Sequence, residues 1–125
     1  MVDDEALVGR AVSRILSSLH EVVTRTSARS ALEEVARPPG FDLLLCDLMM
    51  PDMTGMELHD HLRTAAPALA ERTVFLTGGA FTPLAREFLA RVPNARIEKP
   101  FEPDQLRALV ARVLGEHPVR EAAAQ

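Results

Sequence analysis

The sequence predicts an α/β fold in which a parallel sheet carries helices on both faces. Short β-prone runs alternate with segments of helical periodicity along the chain. Two of these runs, Phe41–Cys46 and Thr73–Thr77, are apolar almost throughout, as is typical of strands covered on both faces. Because such alternation implies parallel strands joined by crossover helices, we expect a doubly wound sheet.

The helices are predicted from apolar periodicity and from capping residues. The first segment places Leu7, Val12 and Leu19 on one apolar face, and Thr82-Pro83 is typical of an N-cap followed by a helical proline. The predicted helices are Glu5–Leu19, a segment capped by Ser27 or Ser30 that ends at Pro38, Met56 to the residues before Pro67, Pro83 to the residues before Pro93, and Pro103–Leu114 with Gly115 as its stop. The predicted strands between them are Glu21–Thr24, Phe41–Cys46, Thr73–Thr77 and Arg96–Glu98.

Composition limits the class of protein. A chain of 125 residues that is 47% hydrophobic can bury one ordinary core, so we expect one domain over residues 1–115 and a C-terminal tail over 116–125. The net charge of -4, with only five Phe as aromatic residues, argues against direct nucleic-acid binding. The chain lacks an apolar run of membrane-span length and a signal-peptide pattern, so we expect a cytoplasmic domain without membrane contact.

We interpret the single cysteine and the four histidines as residues without a catalytic or metal-binding role. Cys46 lies in an apolar run and is expected to be a packed core thiol. His59 and His61 are two apart on a predicted helix and so do not share a face, which argues against a paired metal site. We therefore predict that the histidines His20, His59, His61 and His117 lie at the surface.

Chemically distinctive side chains stand where four strands of the predicted sheet end. Asp3 and Asp4 precede the first helix, Asp47 follows Cys46, Thr77 ends the next apolar strand and Lys99 follows the last strand. Ligands of open α/β sheets bind at the carboxyl ends of the strands. Carboxylates are ligands that Mg²⁺ prefers, and a carboxylate can attack phosphorus when a cation and fixed donors neutralise the phosphoryl oxygens. The set predicts a site for Mg²⁺ and a phosphoryl group.

In this order the set resembles the receiver domain of two-component response regulators, across almost the whole chain. The most recognisable match is the loop Asp47-Leu48-Met49-Met50-Pro51-Asp52-Met53-Thr54-Gly55. The resemblance implies a parallel sheet of five strands in the flavodoxin-like order 2-1-3-4-5. Only Met1 and Val2 precede Asp3, whereas the family has a full apolar strand there, so we expect the first strand to be truncated and the fold to be less stable for it.

The resemblance also implies a role for each matched residue. Asp47 is the phosphoacceptor, which takes its phosphoryl group from a histidine kinase or a histidine phosphotransfer domain. Thr77 and Lys99 bind the phosphoryl oxygens, and Thr77 biases its strand and the following helix between two states. The other matched positions are the Mg²⁺ ligands Asp3 (through water), Asp4, Asp47 and the Met49 backbone carbonyl, the loop-shaping Pro51, Gly55 and Pro100, and Gly78, which leaves room for the phosphodonor.

One position departs from the family pattern, and several functions stay open. Arg96 stands where the family often has an aromatic residue coupled to the switch threonine. The segments Thr77–Thr82 and Glu98–Phe101 look similar to receivers at the C-terminus of hybrid histidine kinases, so we predict such a parent. The alternatives are a stand-alone or transcription-factor-linked regulator, a docking domain that needs no phosphorylation and a small Mg²⁺-dependent phosphohydrolase. A second copy of the chain is expected as a further partner, in a homodimer. The phosphohydrolase commonly has a second acidic residue where this chain has Met49. We expect a phosphoacceptor module, not an enzyme.

Overall fold

A computed structural model describes residues 1–79 and 82–116 of the chain. Helices and strands alternate as the sequence predicts. In chain order they are α1 (Ala6–Leu16), α2 (Ala28–Val35), β1 (Leu44–Asp47), α3 (Gly55–Ala65), α4 (Pro67–Glu71), β2 (Thr73–Thr77), α5 (Pro83–Arg91), β3 (Arg96–Glu98) and α6 (Pro103–Glu116). The bounds predicted for Thr73–Thr77 and Arg96–Glu98 are confirmed.

The sheet has the predicted parallel order. β1 pairs with β2 and β2 with β3, all parallel. Val2 forms single parallel bridges to Arg25 on one side and to Cys46 on the other. Its amide donates to the Leu45 carbonyl at 2.8 Å, and the Asp47 amide donates to the Val2 carbonyl at 2.9 Å. The chain therefore follows the order 2-1-3-4-5 with its first two members reduced to single bridges, so the predicted truncation of the first strand is confirmed.

Local sequence explains where the helices begin. The Ser27 hydroxyl accepts from the Ser30 amide before α2, and the Thr82 hydroxyl accepts from the Ala85 amide before α5. Before α3, Thr54 and Glu57 form a capping box, in which each side chain accepts a hydrogen bond from the other residue's backbone amide. These caps satisfy amide groups that have no partner within the helix.

Several predicted elements are corrected. Glu21–Thr24 is not a strand, because the short N-terminal segment forms a single bridge on this side, between Val2 and Arg25. Pro67 begins a separate short helix, α4, since proline is accepted at the first helical position. α6 continues past Gly115 to Glu116. Residues 117–125, with His117 and most of the predicted tail, lie outside the described residues.

Apolar side chains cover both faces of the sheet. The face under α1 and α6 is aliphatic, with Val12, Leu16, Leu45, Val74, Leu76, Ile97, Leu106, Val110 and Val113 buried together. The opposite face, under α2 to α5, holds the larger cluster, with Val2, Cys46, Leu48, Leu58, Leu62, Phe75, Phe88 and Leu89 among its buried members. Cys46 is fully buried, which confirms the core interpretation of its thiol.

The exposure predicted from the sequence is wrong for three residues. Leu7 and Leu19 are exposed, because the buried stripe of α1 runs through Gly9, Val12 and Leu16 and the helix ends before Leu19. His59 was expected at the surface and is only 5% exposed, since it stands on the same side of α3 as the buried Met56 and Leu62.

No helix in the described part of the chain is long and apolar enough to cross a membrane.

Candidate functional site

Three carboxylates meet at the carboxyl edge of the sheet. Asp3 directly follows the bridging Val2, and Asp47 ends β1 beside it in the sheet. Asp3, Asp4 and Asp47 can each offer one carboxylate oxygen such that these oxygens all lie within 4.8 Å of one another. Asp3 and Asp47 are buried, whereas Asp4 is exposed. The sequence prediction that these three residues converge agrees with this arrangement.

Lys99 supplies positive charge to the cluster. Its Nζ donates to Asp3 Oδ2 at 2.8 Å and to Asp47 Oδ1 at 3.3 Å. The other oxygen of Asp3, Oδ1, accepts from the Glu5 amide at 2.8 Å, so this buried carboxylate has partners on both oxygens. Asp3 therefore orients Lys99 and links the first turn of α1 to the end of β3.

The pKa values of the site reflect its burial and its charges. Burial, reinforced by the charge of Asp3, raises the pKa of Asp47 from 3.8 to about 6, with Lys99 opposing the shift. For Lys99, burial acts to lower the pKa, but hydrogen bonds and charges from Asp3 and Asp47 outweigh it and raise the pKa. At neutral pH Asp47 is therefore still mostly ionised, beside a firmly protonated lysine.

Thr77 and the two segments that follow β2 and β3 lie at the same edge of the sheet as Asp47. Thr77 ends β2 next to Leu76, the register partner of Asp47, and its carbonyl accepts from the Lys99 amide at 2.8 Å. A Cβ added at Gly78 would meet nothing within 4 Å, so the space beside Thr77 is open. The Lys99-Pro100 peptide is cis.

The loop after β1 packs tightly against the strand that carries Asp47. The Gly55 amide donates to the Leu48 carbonyl at 3.0 Å, and a Cβ at Gly55 would lie 2.3 Å from the Asp47 carbonyl oxygen. A side chain at this position would push the start of α3 away from β1. Pro51 precedes Asp52, which has a φ of 69°. The loop-shaping prediction for Gly55 and Pro51 thus has a physical basis at Gly55 above all.

The donor set fits a hard divalent cation. Mg²⁺ takes oxygen ligands and is usually held by one or two carboxylates together with water and phosphate oxygens. Asp4, which is exposed, and Asp47, at the carboxyl edge of the sheet, have oxygens available to such an ion, while Asp3 is already engaged by Lys99 and the Glu5 amide. That Asp3 acts on the ion through water stays a prediction.

Comparison with known proteins identifies the fold family. The family model of the response regulator receiver domain matches residues 1–111. The chain belongs to this family. A CheY-like receiver domain of Methanospirillum hungatei JF-1 is similar in structure, with a TM-score of 0.81 at 27% identity over 93% of this chain and 91% of that one.

Curated relatives of this receiver domain come from more than one kind of protein. The C4-dicarboxylate transport transcriptional regulatory protein DctR of Rhodobacter capsulatus is 32% identical over 127 residues, which cover 100% of this chain and 64% of DctR. The sensor kinase CckA of Brucella abortus is 30% identical over 118 residues, 91% of this chain and 12% of CckA. The chain spans less than two thirds of the length of either relative.

Two residues at the edge of the receiver site carried no sequence prediction. Gly79 has a φ of 90°, and a Cβ there would lie 2.6 Å from Glu98 Oε2. Glu98 is the register partner of Thr77 and precedes Lys99, so it covers the backbone that leaves β2. The Gly78-Gly79 pair is a sequence signal for a backbone close to another group. Arg96, at the position of the family's aromatic residue, is exposed.

Proposed function

We propose that this receiver domain accepts a phosphoryl group on Asp47 from a phosphohistidine and signals through β2 and α5. The observation that carries the proposal is the convergence of Asp47 with the carboxylates of Asp3 and Asp4 and with the ammonium group of Lys99 at one edge of the sheet. Nucleophile, cation-binding carboxylates and ammonium group come from separate strands, which is what acyl-phosphate chemistry requires. The module transfers a phosphoryl group to itself and is proposed not to act on external substrates.

The transfer step follows from the protonation states of the site. An ionised Asp47 oxygen attacks phosphorus, forming the P–O bond of an acyl phosphate, while the N–P bond of phosphohistidine breaks and the imidazole nitrogen leaves with the electron pair. Lys99 stabilises negative charge on the phosphoryl oxygens in place of its present contact with Asp47. The open space at Gly78 admits the phosphodonor.

A magnesium ion is proposed to be held by Asp4, Asp47 and the Met49 carbonyl, with Asp3 acting through water. When bound it would neutralise negative charge on the carboxylates and on the phosphoryl oxygens. Asp3 keeps Lys99 directed toward the reacting oxygens, because its second oxygen is fixed by the Glu5 amide. Thr77 is proposed to donate its hydroxyl to a phosphoryl oxygen, and its shift toward Asp47 would move the start of α5.

The direct test is the intact mass of the chain after incubation with Mg²⁺ and acetyl phosphate. We expect a gain of one phosphoryl group, about 80 Da by the chemistry of acyl-phosphate formation, which is lost in Asp47→Asn and on addition of EDTA. The matched control is Asp52→Asn, an exposed aspartate in the same loop whose positive φ asparagine tolerates. The control should gain the same mass as the wild type.

The result that overturns the proposal is equally specific. A folded wild-type chain that gains no mass with Mg²⁺ and acetyl phosphate would favour a docking domain that does not use phosphorylation. A gain that survives in Asp47→Asn would place the acceptor elsewhere. Circular dichroism of each variant separates these outcomes from a failure to fold.

A second part of the proposal concerns the parent protein, the longer protein to which this receiver domain would belong. We infer a hybrid sensor histidine kinase, supported by the segments after β2 and β3 and by the similarity to the sensor kinase CckA. The similarity to the transcriptional regulatory protein DctR favours the alternative, a receiver linked to a transcription factor. A cytoplasmic setting, where histidine kinases hold their phosphodonor, fits both. Phosphotransfer from this chain to an isolated histidine phosphotransfer domain would support the hybrid kinase, because only a relay needs that second transfer.

A further inference from the structure

A buried histidine connects the three elements on one face of the sheet. The His59 ring, on α3, is 5.5 Å from the Phe75 ring of β2 and 5.7 Å from the Phe88 ring of α5, both edge-on. Phe75 and Phe88 are themselves 5.2 Å apart at 84°. The three rings form a closed aromatic triad, in which each ring contacts the other two. Its geometry depends on an uncharged imidazole ring, because the histidine is only 5% exposed.

The groups around His59 mostly oppose a positive charge on it. Burial is the main cause that lowers the pKa of His59, with Arg63 of α3 and Arg91 of α5 adding to it. A hydrogen bond to the Ala70 carbonyl of α4 and the charge of Asp60 act in the opposite direction. β2 contributes the uncharged Phe75. An imidazolium ion at this place would therefore leave the triad rather than remain inside it.

An open groove offers the protonated ring a place to go. A cavity of about 520 Å³ lies between α3 and α5 and is lined by His59 and Phe88. Glu57 and Asp60 stand on its α3 side, and the groove is also lined by His61, Arg63, Leu84 and Arg91. Glu57 is held by its capping box with Thr54, so the carboxylate that would receive a charged imidazole turning outward is Asp60, which is exposed and pairs loosely with Arg63 at 3.7 Å. The movement would remove one of the two ring partners of Phe88, the residue that anchors α5 to the triad.

The triad is also next to the switch residue. Phe75 precedes Thr77 by two positions in β2, so both side chains lie on the same face of the strand. Phe88 lies on α5, which begins soon after Thr77. A shift of Thr77 toward a phosphoryl group on Asp47 therefore changes the packing of the same rings that hold His59.

We propose that protonation of His59 releases Phe88 and shifts α5 away from β2, and that phosphorylation of Asp47 favours the same shift. The second clause rests on the proposed function, whereas the first does not. Because a coupling between two sites is reciprocal, phosphorylation must then increase the proton affinity of His59 by the same factor by which protonation of His59 favours phosphorylation of Asp47. The receiver would respond to both phosphate and acid.

The first test follows the unmodified chain by NMR from pH 7.5 to pH 5. The signals are the His59 ring carbons, the Phe88 ring and the backbone amides of α5. We expect the His59 transition and the α5 transition to share one midpoint. The matched control is His61→Gln, which removes an exposed histidine from the same helix and the same groove and should leave both transitions unchanged.

Two results would overturn the linkage between His59 and α5. One is a His59 ring that titrates while the α5 amides stay constant, and the other is a ring that remains neutral until the whole chain unfolds. His59→Gln should abolish the shared transition. If that variant fails to fold, the same titration of Asp47→Asn decides the matter, because it removes the carboxylate whose pKa is about 6 and leaves His59 in place.

The second test repeats the titration with Mg²⁺ and excess acetyl phosphate, with intact mass measured at each pH. We expect the proton affinity of His59 to rise at least about fivefold, the lower end of ordinary allosteric couplings. A fully phosphorylated chain with an unchanged His59 midpoint would contradict the coupling to phosphate. A chain that gains no phosphoryl mass would instead contradict the proposed function, and the result of the first titration would stand by itself.

Discussion

The carboxyl edge of the sheet and the triad between α3 and α5 both bury a titratable side chain, and they shift its pKa in opposite directions. At the edge, burial and the charge of Asp3 raise the pKa of Asp47 to about 6. In the triad, burial lowers the pKa of His59. Each shift disfavours the charged form, but the charged form of an acid is found at high pH and that of a histidine at low pH.

The difference between the two regions lies in their partners. Asp47 contacts Lys99 and lies near the carboxylates of Asp3 and Asp4, of which Asp4 is exposed to solvent. His59 has aromatic rings and one backbone carbonyl. The edge holds opposite charges in contact, as the proposed chemistry on a phosphoryl group requires. The triad itself consists of uncharged rings, with the Arg91 guanidinium 5.6 Å from the Phe88 ring centroid, so a positive charge that forms on His59 must move the rings.

The largest expected effect comes from removing Lys99, whose ammonium group is the positive charge at the carboxyl edge of the sheet. Lys99→Met should lower the free energy of unfolding by about 3 kcal/mol in EDTA at pH 7, because it leaves a fully buried Asp3 carboxylate without its charged partner. Urea denaturation measures the change. Mg²⁺ should restore part of the loss, since it supplies positive charge to the same cluster.

The matched control is Arg96→Met, which removes an exposed positive charge from the same strand region. Surface substitutions of this kind usually change stability by less than about 0.5 kcal/mol. If Lys99→Met were no more destabilising than Arg96→Met, the idea that Lys99 holds the metal-free edge together would be wrong.

Removing the Asp47 carboxylate should raise the free energy of unfolding, whereas removing Lys99 should lower it. Asp47→Asn is expected to stabilise the metal-free chain by about 2 kcal/mol at pH 7, because a rise in pKa of this size marks an unfavourable charge in the folded state. The raised pKa means that the favourable state of Asp47 is complete below its unfolded value near 3.8 and is lost as the pH rises through about 6. The advantage of Asp47→Asn should therefore disappear as the pH falls from 7 to 4.

Urea denaturation in EDTA at several pH values measures that advantage, with Asp52→Asn as the control that should show none. A destabilised Asp47→Asn at pH 7 would mean that the pairing of Asp47 with Lys99 outweighs its burial. Addition of Mg²⁺ should stabilise the wild type more than Asp47→Asn, which narrows or reverses the difference between them.

Much of the edge could be predicted from the sequence because its order is fixed by topology. Carboxyl ends of parallel strands meet at one edge, so Asp47, Thr77 and Lys99 had to converge once their strands were recognised. The bounds of β2 followed from a short apolar run ended by Gly78 and Gly79. β3 has a single apolar residue, Ile97, and was recognised as the short segment between the helix that ends by Pro93 and Lys99-Pro100. The hydrogen-bonding of Asp3 to Lys99 and to the Glu5 amide could not be predicted, because it depends on side-chain positions within a few ångströms.

The triad was missed for a different reason. The spacing of His59 and His61 answers whether they share a face, and it does not say which face is buried. Met56, His59 and Leu62 recur at intervals of three, and that period places His59 on the buried side of α3. Its partners, Phe75 and Phe88, come from elements far along the chain, and no local pattern could identify them.

The smallest expected effect is the acid sensitivity that the triad gives to the fold. A His59 with a lowered pKa contributes stability that is present above the unfolded value near 6.5 and is lost as the pH falls toward its folded value. The wild type should therefore lose stability relative to His59→Gln between pH 7 and pH 5, by less than about 2 kcal/mol, the limit that one proton can set over that interval. Urea denaturation of both proteins measures this difference, and His61→Gln should follow the wild type throughout. A constant difference between wild type and His59→Gln would show that His59 accepts a proton as easily in the folded chain as in the unfolded one, and the contrast with Asp47, whose pH dependence has the opposite slope, would then be lost.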